Sequence, residues 1–183
     1  MDHERPDPTT TDVIERQGAF EDRDAWPVKG YCRIERALDL VGTRSAMLVI
    51  RELFYGGTRY EELTRRTGLS EAVVAGRLKQ LHGDGIVERR PYQEAGQRRR
   101  DEYVLTDRGR ALFPVIVALA EFGDVVSDDP RTGVQLVHRN CEAPLAPHVR
   151  CGEGHEVPLD QAAVRLRDEE HVTALRDRSR AQR

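Results

Sequence analysis

Apolar positions recur through the middle of this chain at helical spacing and then switch to alternation. Ile34, Ala37, Leu38 and Val41 fall three to four residues apart, and Gly42 closes that short first helix. The stretch "SAMLVIRELFYGG" is apolar on more than one side through Met47, Leu48, Ile50, Leu53 and Phe54. It predicts a helix central to the core, stopped by Gly56-Gly57. "RYEELTRRTG" predicts a third helix with Tyr60 and Leu63 inward, and "LSEAVVAGRLKQLHGDG" a fourth, with Ser70 as N-cap and Val74, Leu78 and Leu81 on one face. The period then changes. "IVERRPY" and "DEYVLT" predict two strands around the polar loop "QEAGQRRR", giving a sheet of two or three strands. "TDRGRALFPVIVALAEFGDVV" predicts one long helix, with Leu112, Ile116, Leu119 and Phe122 spaced for burial. Its other side (Val115, Val117, Ala118) is apolar as well, more than a lone surface helix needs, which points to a subunit interface.

The turn "TGLS" joins two helices through a short link that starts at Gly68, the helix-turn-helix pattern. Outside its core stripe the second of these helices carries Ser70, Glu71, Ala72, Ala75, Gly76, Arg77 and Lys79. Small side chains there let a helix backbone approach the floor of a major groove about 12 Å wide. An ordinary surface helix would look similar, but the hairpin that follows turns the pattern into a winged helix. A wing tip lies beside the phosphate backbone, where guanidinium groups make charge-assisted contacts. Arg98, Arg99 and Arg100 fall at that tip. The DNA-binding residues read from sequence are therefore these ten.

Charge supports that placement although the chain of 183 residues has a net charge of −3. Residues 1–26 hold eight acids against three arginines, whereas residues 44–110 hold fourteen basic groups against ten acids. Screening confines a field to about 8–10 Å, so a basic block can attract a polyanion inside an acidic chain. No apolar run approaches the roughly 18 residues of a membrane span, and the opening "MDHERPDPTTTD" is unlike a secretory signal, so a cytoplasmic location with no membrane partner is expected. No nucleophile–base pair, phosphate loop or carboxylate pair stands out, and His82 reads as a helix-end residue, so an enzyme is not expected.

With these residues in order, the stretch from Cys32 to about Val126 resembles the HxlR-type, MarR-like branch of bacterial winged-helix transcription regulators. The carrying segments are "CRIERALDLVGTR", "LVIRELFYGGTRYEELTRRTGLS", "RLKQLHGDGIVERR" and "EYVLTDRGRALFPVI". The resemblance implies a homodimer built from the first helix and the long C-terminal helix, bound to a pseudo-palindromic operator in double-stranded DNA. It also implies a repressor whose affinity a small-molecule effector or a redox signal adjusts. Some members use the cysteine that opens the first helix as a sensor, the position of Cys32 here. Two departures stand out. Arg33 replaces the usual proline after that cysteine, and "GTRS" replaces a typical Gly-Gly-Lys-Trp. A winged helix that docks protein rather than DNA is the rival reading.

Cys32 has Lys29, Arg33 and Arg36 nearby at a helix start, features that stabilise a thiolate; the alternative is a small residue filling space. Beyond "SDDPRTG" the composition becomes turn-rich. His138-x2-Cys141 and Cys151-x3-His155 form two N,S pairs that would suit a tetrahedral zinc ion. A Cys-x2-Cys knuckle would want a cysteine at Gly154, so the reading here is a metal-free module, with those four residues as the ligands if zinc binds. The expected fold class is mainly α (α+β). A mobile acidic arm covers 1–28, the winged helix-turn-helix and dimerisation domain 29–127, a small β-rich appendage 134–167, and a charged tail 168–183.

Overall fold

Leucines and valines at helical spacing build the core around the second helix. The computed structural model describes residues 14–25, 32–93, 96, 98–129, 133–170, 172–174 and 177. Helix α1 spans Arg33–Val41, α2 Arg44–Phe54, α3 Tyr60–Thr67 and α4 Glu71–Gly83. Val49, Ile50, Leu63, Val74, Leu78 and Leu81 are sealed from solvent where α2, α3 and α4 meet. Thr43 caps α2 by accepting the Ala46 N–H at 3.2 Å. Gly68 ends α3 at φ 66°, a left-handed conformation that any side chain would strain, and so permits the tight turn into α4. The Tyr60 hydroxyl donates to the Glu71 carbonyl at 2.8 Å and ties the two helices of the motif together.

The wing follows at once. Strand β2 (Val87–Tyr92) pairs antiparallel with β3 (Arg100–Leu105), from Val87 opposite Leu105 to Tyr92 opposite Arg100. A single bridge between Arg59 and Glu102 adds a third edge, supported by the Tyr103 N–H donating to the Thr58 carbonyl at 2.8 Å.

The long helix expected after the wing is two helices, α5 (Asp107–Arg110) and α6 (Phe113–Val125). Pro114 in the first turn of α6 has no N–H to bond the Arg110 carbonyl, so the first helix cannot run through it. Gly109 packs α5 against the Ile86 carbonyl, where an added Cβ would collide with backbone. Phe113 meets Phe54 with ring centroids 5.8 Å apart and seats α6 on α2. Burial on α6 also differs from expectation. Ile116 and Val117 are buried, while Leu119 and Phe122 stand exposed.

The chain divides into two compact units, one of residues 33–147 and one of residues 1–32 together with 148–183. The first holds the winged helix and a turn bridged at Val137–Pro144. In the second, strand β1 (Glu15–Arg16) pairs parallel with β4 (Ala163–Val164). There the Ala19 N–H donates to the Glu169 carboxylate at 3.0 Å. The mobile-arm reading of 1–28 is thus corrected for residues 14–25, whose backbone bonds are met by a segment far along the chain; residues 1–13 and 26–28 lie outside the described residues. The stretch expected as one β-rich appendage, 134–167, is likewise shared between the two units. In the charged tail, Glu169–Glu170, Val172–Ala174 and Asp177 are helical.

Candidate nucleic-acid interface

Helix α4 is fixed from behind and open in front. Val74, Leu78 and Leu81 anchor it, and Ser70, Glu71, Ala72, Ala75, Gly76 and Lys79 are exposed on its other sides. A Cβ added at Gly76 would meet nothing within 4 Å, so the front of the helix has no neighbour at that point. Ser70 occupies the N-cap position, but its side chain makes no capping bond; its carbonyl accepts the Val74 N–H at 3.0 Å. Arg77 departs from the sequence reading. It is half-buried, its Nε donates to Ser45 Oγ at 2.7 Å, and its Nη1 donates to Gln80 Oε1 at 2.6 Å. It braces α4 against the start of α2 instead of pointing outward, because a partner 32 positions earlier in the chain lies within its reach.

Val73 was missed by the sequence reading. It is 39% exposed beside Ala72, and neither a core nor a surface role was assigned to it from sequence. The spacing carried the clue, since Val73 falls off the 74/78/81 stripe. An apolar side chain at that place can meet a thymine methyl group.

The wing arginines are not equivalent. Arg98 and Arg99 are exposed and have no ion-pair partner among the described residues, whereas Arg100 Nη1 donates to Glu61 Oε1 of α3 at 2.9 Å. That pair clips the loop end of the wing to the first helix of the motif. Within the wing the Arg89 guanidinium lies over the Tyr103 ring at 5.8 Å, and Arg59 lies over the Tyr92 ring at 4.8 Å. Arg89 and Tyr103 are cross-strand partners on one sheet face and Tyr92 is on the other, so the two rings hold a basic group on each side of the wing; neither was flagged from sequence. At the loop, Gly96 takes φ 76°, while residues 94, 95 and 97 lie outside the described residues.

Glu62 organises the approach to α3. Its carboxylate accepts the N–H groups of Arg59 and Thr58, each at 3.3 Å. These two bonds, aided by the charge of Arg66, hold its pKa below the usual glutamate value against the opposing effect of burial.

The remaining candidates sit elsewhere. Cys32 is half-buried immediately before α1, while Lys29, which the thiolate argument used, lies outside the described residues. His138 Nδ1 lies 3.1 Å from Cys141 Sγ in a turn closed by the His138 N–H on the Ala143 carbonyl. In the other unit, Cys151 Sγ lies 3.6 Å from His155 Nδ1. Gly154 between them has φ 85°, so the position where a zinc knuckle wants cysteine is one that disfavours a side chain. Each turn offers one nitrogen and one sulfur donor, and among the described residues no three His, Cys, Asp or Glu side chains form a metal-holding group.

Comparison with known proteins agrees with this geometry. The profile of the HxlR-like helix-turn-helix family matches residues 40–130. An HTH-type (helix-turn-helix) transcriptional regulator of Mycobacterium bovis is 36% identical over 119 residues, covering 64% of this chain and 74% of its own. One from Synechocystis is 39% identical over 93 residues, covering 50% of this chain and 67% of its own. Two crystal structures described as candidate transcription factors also match. PA1607 has a TM-score of 0.67 at 34% identity, over 76% of this chain and 97% of its own. PA1374 of Pseudomonas aeruginosa has a TM-score of 0.55 at 28% identity, over 78% and 99%. Among the described residues no helix is long and apolar enough to cross a membrane.

Proposed function

This chain belongs to the HxlR-like helix-turn-helix family, a transcription regulator with a helix-turn-helix DNA-binding domain, and from that premise we propose a dimeric repressor that occupies a pseudo-palindromic operator. The observation that carries the reading is the open front of α4, lined by small side chains and backed by a fully buried stripe. Ser70, Glu71, Ala72, Val73, Ala75, Gly76 and Lys79 meet base edges in the major groove. Arg98 and Arg99 take phosphates, joined by Arg100 once DNA competes with Glu61. Arg77 acts indirectly, by fixing the angle of α4. Ile34 and Leu38 on α1, 71% and 57% exposed, and the uncovered side of α6 supply the second subunit's contact. Two reading helices on one dimer then fall on successive major grooves. A signal that alters the α1–α6 contact, whether oxidation at Cys32 or a bound effector, shifts their spacing and releases DNA.

Selection of genomic fragments by the purified full chain, followed by footprinting, tests this. Two protected half-sites centred about 34–36 Å apart are expected. Retention of no sequence above background, or tight protection of one half-site by a monomer, contradicts it.

A further inference from the structure

Helix α6 has two different sides. Val115, Ala118, Phe122, Val125 and Val126 share one, at spacings of three, four and seven, and form the uncovered apolar strip assigned above to a second subunit. The other side, through Ile116, Ala120, Gly123 and Asp124, lines a cleft of about 870 Å³. That volume falls in the roughly 300–1,000 Å³ range of small-molecule sites. The length of α2 forms the opposite wall, from Met47 and Leu48 to Tyr55 just past its end. The third wall is the segment from Gly133 to Leu145, held as a turn by the Leu145 N–H on the Leu136 carbonyl at 2.9 Å and the Val137–Pro144 bridge. This wall lies beyond residue 130, where the match to the family profile ends.

The body of the cleft is apolar and its charged groups are of one effective sign. Arg51 is spent inside the wall: its Nη2 and Nε both donate to Oε1 of Glu52, at 2.6 and 3.0 Å, and Glu52 is only 6% exposed. That pair adds no net charge. Glu121 and Asp124 remain, one helical turn apart on the cleft side of α6, and neither has an ion-pair partner among the described residues. The cavity supplies the site, and the two carboxylates set the sign of what fills it. We propose that the cleft binds an organic cation with an apolar, aromatic-sized body: the body lies against Leu48, Leu119, Leu136 and Leu145, and the positive centre lies toward Glu121 and Asp124. Tyr55 also lines the cleft, and an aromatic ring there favours a cation. Because the cleft and the apolar strip are different sides of α6, a ligand there can tilt the helix that carries the dimer contact. Only this consequence rests on the regulator reading; the binding itself does not.

Calorimetry on the full chain without DNA, using tetraphenylphosphonium and tetraphenylborate, separates charge from shape because the two ions match in size and differ in sign. The expected result is one tetraphenylphosphonium per chain, bound on the order of tenfold more tightly than the borate, as two partly exposed carboxylates allow. Glu121→Gln with Asp124→Asn, exposed changes that leave the circular dichroism spectrum as it was, should erase that preference. Equal affinity for the two ions, absence of binding heat, or a preference that survives the double substitution overturns the proposal. With no DNA present, such a failure leaves the operator reading standing, and a failure of operator binding leaves this result intact.

Discussion

Helices α4 and α6 are each thirteen residues long, yet the surfaces they leave open are of opposite kinds. On α4 the large apolar residues Val74, Leu78 and Leu81 are buried, and apart from Val73, 39% exposed, what faces out is small or polar. On α6 only Ile116 and Val117 are buried, and Phe122, Val125 and Val126 stand 61%, 75% and 65% exposed. Uncovered apolar area on that scale is stable in water only when something covers it, since each large side chain removed from water contributes about 1.5–3 kcal/mol. A helix with a small, polar outer side needs no cover, and its backbone can come close to a base edge. The first surface suits the polyanion proposed above, and the second suits the proposed second subunit.

The largest expected effect breaks the α6 half of that contrast. Val115→Glu with Phe122→Glu places two charges on the outer strip without touching the buried pair Ile116 and Val117. Sedimentation equilibrium should show monomers with an unchanged circular dichroism spectrum, and the thermal midpoint should lose its dependence on protein concentration. Operator affinity should fall on the order of a hundredfold or more, because the second half-site no longer binds at high effective concentration. A protein that remains dimeric with both charges in place removes α6 from the interface.

Next in size comes the front of α4. Gly76→Leu adds a side chain where there is open space, and the change from glycine favours the helix by about 0.8 kcal/mol. Stability should hold or rise while specific binding is lost, which a folding defect cannot mimic. Lys79→Ala should cost about 1–3 kcal/mol of operator binding if it reads a guanine, and little on random DNA. Wild-type affinity in Gly76→Leu, measured by fluorescence anisotropy, would mean that this surface does not enter a groove.

The wing gives a smaller, sequence-independent effect. Replacing Arg98, Arg99 and Arg100 by alanine should lower the slope of log affinity against log salt by about 0.9 for each phosphate no longer neutralised. Arg99→Ala should account for more of that than Arg100→Ala, whose guanidinium must first leave Glu61. An unchanged slope in the triple variant places the wing away from the backbone.

The same two helices divide what the sequence disclosed from what it withheld. On α4 the pattern has one strict stripe, so periodicity alone separates its buried and open sides. Where α6 carries apolar residues on several sides, the same periodicity fits several phases: of Ile116, Leu119 and Phe122, all expected inside, the protein's own core covers Ile116 alone, and it covers Val117 besides. Arg77 was read as a DNA contact because spacing cannot reveal Ser45 across the fold. The pairing of Glu15–Arg16 with Ala163–Val164 escaped notice for a related reason. Two residues are too few to show alternation, and parallel partners so far apart leave no local trace. Pro114, by contrast, stood in plain view as a reason for the break between α5 and α6.

The smallest effect concerns the support behind α4, and it depends on pH. Glu62 receives the Arg59 and Thr58 N–H groups at the start of α3, and these bonds lower its pKa in the folded chain. A group whose folded pKa is depressed stabilises the fold above its unfolded pKa, near 4.3 for glutamate, and loses that contribution as pH falls through the folded value. Glu62→Gln keeps a hydrogen-bond acceptor of the same shape but cannot be charged. Wild type should therefore exceed the variant in unfolding free energy by at most about 1 kcal/mol at pH 7, the scale of a charge at an exposed helix N-terminus. The gap should stay level down to about pH 5 and close in more acidic solution as the wild-type carboxylate is protonated. Urea titrations of both proteins across that range measure it directly. A gap that persists unchanged into acid would mean that the substitution acts through packing, and that the charge of Glu62 does not support the helix on which α4 rests.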